Sequence, residues 1–158
     1  MFDTVLGLPV HALVVHAVVV LVPLSALGVA AIAVVPRWRE RFGTLVLLGS
    51  TAALAMVPVA TRSGDRFEER LGATGVVARQ IDDHSEVGKL VLWPTLAMWV
   101  LAVALVLMSR RDRKGGVVTV VAVLALLAAG TAAGFVIRAG HLGTEAVWSC
   151  TIGSDACG

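Results

Sequence analysis

From Gly115 to Ile137 the chain reads GGVVTVVAVLALLAAGTAAGFVI, with no Asp, Glu, Lys or Arg anywhere in the run. A helix needs about 20 apolar residues to cross roughly 30 Å of hydrocarbon, and this run supplies them. Its residues are apolar all the way round and do not alternate as barrel strands do. The backbone must therefore satisfy its own hydrogen bonds in lipid as an α-helix. The same absence of charge holds from Leu90 to Ser109, from Phe42 to Thr61 and from Thr4 to Pro36. The sequence predicts an all-α membrane protein, a bundle of four transmembrane helices, with spans at about 9–35, 43–61, 88–108 and 116–138.

Composition agrees. Of 158 residues 58% are hydrophobic, and mean hydropathy is +0.88, against an apolar share of about 45–50% in soluble domains. The formal charge of +2 and the lack of a long basic run or an interleaved aromatic-basic stripe exclude nucleic acid as a partner. Met1 to Leu8 carry Asp3 and no Lys or Arg, which is not the start of a secretory signal peptide, so the N-terminus is expected to remain in the mature protein. Pro23, Pro58 and Pro94 fall inside the runs and predict bends, since neighbouring membrane helices can supply the missing partners. No internal repeat is visible, and residues 1–158 read as a single membrane domain.

The connections set the orientation. The loop at 36–42 carries Arg37, Arg39 and Arg41 against Glu40, and the loop at 109–115 carries Arg110, Arg111, Arg113 and Lys114 against Asp112. Both are expected in the cytoplasm under the positive-inside rule, which places the loop at 62–87, the N-terminus and the C-terminus on the extracytoplasmic side. Trp38, Trp93 and Trp148 fall near the predicted interfaces, Lys89 can snorkel outward, and Trp99 is deeper and reads as packing. Arg66 to Ile81 is expected to form helical extensions on the outer surface, with Phe67, Leu71, Val76, Val77 and Ile81 dipping into it and Gly72 and Gly75 interrupting. In the fourth span Gly130 and Gly134 form a GxxxG pair, suited either to packing inside the bundle or to a homo-oligomer interface.

With the topology drawn, all four histidines, His11, His16, His84 and His141, lie in or near the outer leaflet. His16 falls about 10 Å along the first span, where a buried imidazole needs a partner. It stands about 140° round and about 7.5 Å along the helix from His11, too far to share one metal ion with it. By depth His11, His84 and His141 match. Three chemistries are open to that trio: a metal ion, a haem iron ligated by two of its members, or a proton-sharing network. Arg138, at the outer end of the fourth span, needs an anion such as Asp65, Asp82, Asp83, a lipid phosphate or a haem propionate, or else snorkels to the headgroups. Cys150 and Cys157 most simply close a disulfide loop on the oxidising side, with thiolate binding of copper or zinc beside His141 as the alternative. No phosphate loop, nucleophile elbow or HExxH marks a hydrolase or a nucleotide enzyme, and no catalytic residue is assigned.

Leu8-Pro9-Val10-His11-Ala12-Leu13-Val14-Val15-His16 resembles the HPxxVH opening of an uncharacterised bacterial membrane family, domain of unknown function 2231. Ala60-Thr61-Arg62-Ser63-Gly64, Asp83-His84 and Arg138-Ala139-Gly140-His141-Leu142-Gly143 follow in that family's order and spacing, so the likeness covers nearly the whole chain. Ala12 stands where the family often has proline, and the close of the fourth helix departs from its common GGxLVYxHG form. The resemblance implies a multi-pass protein of the bacterial inner membrane. Some family members are fused to Rieske iron-sulfur domains, which implies by association electron transfer with haem b, a redox protein or quinone. The two cysteines here lack the paired Cys-His motifs that a Rieske centre requires.

Three readings follow. The first is a small redox-linked membrane protein holding haem b or a transition-metal ion near the outer face through His11, His16, His84 and His141, with Arg138 as anion partner. The second is a non-enzymatic accessory or structural subunit of a larger complex. A channel or transporter ranks last, because no ionisable residue lies near mid-span.

Overall fold

A computed structural model describes residues 4–5, 7–111 and 115–152. Thr4–Val5 (β1) pairs antiparallel with Leu8–Pro9 (β2), and five helices follow: α1 (Val10–Val34), α2 (Pro36–Leu71), α3 (Gly75–Leu90), α4 (Leu92–Arg110) and α5 (Gly116–Ile152). Four helical stretches are long and apolar enough to cross a membrane: α1, α2, α3 with α4, and α5 as far as Trp148.

The joints follow from local chemistry. Val35 is extended (φ −112°, ψ 100°), the conformation that a following proline favours, and Pro36 opens α2 at a position where its missing N–H costs nothing. Pro23 and Pro58 lie inside α1 and α2 without ending them. Pro94 has no N–H for the Leu90 carbonyl, so the ladder lapses at Val91, which keeps a helical conformation (φ −56°, ψ −30°). Thr95 reinforces the junction by donating its backbone N–H (3.3 Å) and its hydroxyl (2.8 Å) to the Val91 carbonyl. The stretch at 62–87 is mostly helix. α2 runs on to Leu71 and stops where Gly72 turns left-handed (φ 55°) and returns its N–H to Glu68, a C-cap that a residue without Cβ adopts at no steric cost.

Buried positions recur at steps of three and four on every span. α1 buries Val18, Val22, Ala26, Val29 and Ala33, α2 Ala53, Val57 and Ala60, α4 Met98, Ala102 and Leu105, and α5 Ala125, Ala129, Ala132 and Val136. This narrow seam is that of a left-handed bundle. Its residues are mostly small, while Leu24, Leu27, Leu45, Leu48, Leu127 and Ile137 point outward. Lipid is as apolar as leucine, so association gains from close packing of small residues, and the large side chains face the hydrocarbon. Gly43 gives the closest approach: a Cβ there would lie 2.8 Å from Cγ2 of Val106.

The spans are antiparallel and close a ring. α1 packs against α2 and α5, and α4 packs against the same two, so α1 and α4 stand diagonally opposite. α1–α2 and α3/α4–α5 are thus two equivalent hairpins. Their likeness is one of packing, which is why the residues show no repeat. The start of α1, the end of α2, the α3–α4 segment and the last turns of α5 meet at one end of the bundle.

Candidate functional site

His11 sits in the first turn of α1, two residues after Pro9. A carbonyl can only accept, so the 3.1 Å contact between its Nδ1 and the Ala60 carbonyl of α2 fixes the proton on Nδ1. The Ser63 hydroxyl donates to the same carbonyl (3.0 Å). Gly64 lies against the edge of the imidazole, where a Cβ would come within 3.0 Å of Cε1, and Phe67 stacks on the ring at 6.2 Å between centroids with 21° between planes.

His84, on α3, is held in the same way by the other hairpin. Its Nδ1–H donates to the Ala139 carbonyl of α5 at 2.8 Å, and Gly143 lies against the ring, where a Cβ would come within 3.0 Å of Cε1. The two imidazoles meet with centroids 6.2 Å apart and planes at 78°. Nearby, Lys89 of α3 pairs with Asp65 of α2 at 3.2 Å. Both partners are about half exposed, so this pair contributes at most about 1 kcal/mol.

With both Nδ1 atoms anchored, each Nε2 is left as a lone-pair donor, the arrangement of a histidine prepared for a metal centre. Among the described residues neither Nε2 has a hydrogen-bond partner. Beside His11 lies a cleft of about 30 Å³, bordered by Ser63, Arg66 and Phe67. It has room for about one or two waters.

The other expected site residues lie apart from this pair. His141 is on the far side of α5 from Ala139 and Gly143; its side chain is 72% exposed, with Nε2 3.2 Å from Oε1 of Glu145. His11, His84 and His141 therefore do not converge, and among the described residues no group of three His, Cys, Asp or Glu side chains is placed to hold a metal ion. The reason is angular: two residues beyond Ala139, a helix has turned about 200°. His16 is exposed on the outer face of α1 and finds its partner in its own helix, the Ala12 carbonyl. Arg138 is exposed on α5, and Asp65, one of its candidate anions, is held by Lys89. The side chains of Cys150 and Cys157 lie outside the described residues. Gly130 and Gly134 face outward with nothing within 4 Å of a built Cβ.

Residues 7–156 match a family model described as predicted membrane protein, DUF2231. The chain belongs to the DUF2231 family. No curated protein and no solved structure matches it. The stretches that carry the DUF2231 resemblance are those that meet at this end of the bundle: His11 rests on Ala60–Gly64, His84 on Ala139–Gly143, and the two histidines on each other.

Sequence reasoning found both histidines and missed what holds them. Ala60 and Ala139 act through backbone carbonyls, and Gly64 and Gly143 act by lacking a side chain, so none shows as a functional residue type. A signal exists in the shared A-x-x-x-G spacing, which sets a carbonyl and a bare patch on one helix face. Phe67, expected on the dipping face of the outer extension, stacks on His11.

Proposed function

We propose that this DUF2231 protein is a small redox-linked protein of the bacterial inner membrane that holds haem b between His11 and His84 near the extracytoplasmic face. The observation that supports this is the pair itself: two anchored imidazoles from diagonally opposed spans, with centroids 6.2 Å apart. Two histidines are too few for a bare zinc or copper site, yet His11 and His84 would suffice to hold a haem iron, which brings its remaining ligands with it. The donor set therefore fits haem better than a free ion.

Haem, when bound, supplies one-electron chemistry. The chain's own residues bind and orient: the Ala60 and Ala139 carbonyls fix the tautomer and direct Nε2, and Phe67 shields His11 from water. Because the cleft beside His11 is water-sized, binding requires the surrounding helix ends to move apart. The extracytoplasmic placement rests on the arginines at the opposite end of the bundle, Arg37, Arg39, Arg41, Arg110 and Arg111. A redox protein or quinone would meet the site from outside.

A second reading is supported by the outward-facing Gly130 and Gly134, which suit a helix of a second copy or of a larger complex. Transport is least supported, since the hydroxyls of Ser50, Thr51, Thr95 and Thr131 are engaged with carbonyls of their own helices. The test is the absorption spectrum of detergent-purified protein. A Soret band in the wild type, retained in His16→Ala and His141→Ala and lost in His11→Ala and His84→Ala, is the expected result; a Soret band indifferent to His11 and His84 would refute the assignment.

A further inference from the structure

The contacts of Gly64 and Gly143 are nearly superimposable. A Cβ on Gly64 would lie 3.0, 3.2 and 3.8 Å from Cε1, Nδ1 and Nε2 of His11, and a Cβ on Gly143 would lie 3.0, 3.2 and 3.7 Å from the same atoms of His84. Each glycine stands four residues after the alanine whose carbonyl receives the ring N–H. Within a helix that carbonyl already accepts the N–H of residue i+4, so the imidazole must reach its second lone pair from the side. A helical side chain covers the turn N-terminal to its own Cα, which for residue i+4 is the patch over carbonyl i. A glycine at i+4 is what leaves that carbonyl open to a ring from a neighbouring helix.

We propose that Gly64 and Gly143 are a matched pair of positioning residues, one in each hairpin, which admit His11 and His84 to the Ala60 and Ala139 carbonyls and so set the Nδ1–H tautomer and the 78° angle between the rings. Their consequence for haem rests on the reading above; their action on the rings does not. Both glycines lie inside helices, where alanine is the better helix former. Were they merely structural, Gly→Ala would leave the imidazoles unchanged and the protein no less stable. As positioning residues they are instead specific, each governing one ring.

The test is ¹⁵N NMR of the histidine ring nitrogens in detergent-solubilised full-length protein without haem, followed by electron paramagnetic resonance after adding haemin. In the wild type His11 and His84 both show a protonated Nδ1. Gly64→Ala takes the proton off Nδ1 of His11 and leaves Nδ1 of His84 protonated, Gly143→Ala does the reverse, and Gly134→Ala, which has open space around its Cβ, changes neither. A protonated Nδ1 kept by both rings in Gly64→Ala and Gly143→Ala, or lost by both in either variant, would overturn the proposal. If the wild type binds haemin, the low-spin ferric signal of either alanine variant differs from that of the wild type; an identical signal in all proteins likewise overturns the proposal. If the wild type takes up no haemin while the ring signals respond as described, the haem reading fails and the positioning role stands.

Discussion

Arg39 is buried in the first turn of α2, and its guanidinium folds back to donate from Nε to the Ile32 carbonyl (2.8 Å) and from Nη2 to the Ala33 carbonyl (3.0 Å). Those carbonyls belong to the last turn of α1, where no further N–H follows, so one cation caps the helix and meets the negative end of its dipole. Arg39→Ala is expected to destabilise the bundle by about 2 kcal/mol, the scale for hydrogen bonds to a charged group, visible as a lower Tm in detergent. Arg37→Ala, at an exposed neighbour, should leave Tm unchanged. The sequence offered Arg37, Arg39 and Arg41 as three equal topogenic charges. Nothing in their types separates them, because the distinction lies in which one the Val35–Pro36 turn points back at α1. Trp99 is a similar case: it reads as packing, yet its indole N–H donates to Thr51 across α4 and α2 at 2.8 Å. A double-mutant cycle of Trp99→Phe and Thr51→Val should return a coupling of about 0.6 kcal/mol, the usual size for such bonds between membrane helices.

At the scale of the element, helix positions were legible because charge cannot enter hydrocarbon, while the buried face was not. Every span is apolar all round, so hydropathy cannot tell Leu105, buried in the seam, from Leu107, exposed beyond it. Only residue size hints at the seam, through alanines at steps of three and four on α5. Span ends and helix ends are different things. The polar stretch after Thr61 signals departure from lipid, and α2 continues to Leu71, in keeping with the helical extension expected from Arg66 onward, since leaving the bilayer does not end a helix whose backbone bonds persist. Gly43 marks where two elements touch most closely. Gly43→Leu should force α2 away from Val106 and cost about 1–3 kcal/mol, measured as loss of folded protein in a detergent-denaturant titration. Gly88→Leu, at a position with open space, should be tolerated.

Over the whole molecule, two hairpins bring one histidine each to the shared end of the bundle, an arrangement whose trace in the sequence is the A-x-x-x-G spacing of Ala60–Gly64 and Ala139–Gly143. Arginines crowd the opposite end, so reporter fusions at both termini should be active outside the cytoplasm, and a fusion after Arg111 active inside it; the reverse pattern would place the histidine pair in the cytoplasm. The exposed faces of His16 and His141 are separate from that pair, which makes the pairing itself the central claim. Its most direct test is a haemin titration of detergent-purified wild type beside His11→Ala, His84→Ala and the His16→Ala/His141→Ala double variant. Saturation of a Soret band at one haem per chain is predicted for the wild type and the double variant, with none for either His11→Ala or His84→Ala. Absence of saturable binding in the wild type, or equal binding in His11→Ala, would contradict the account.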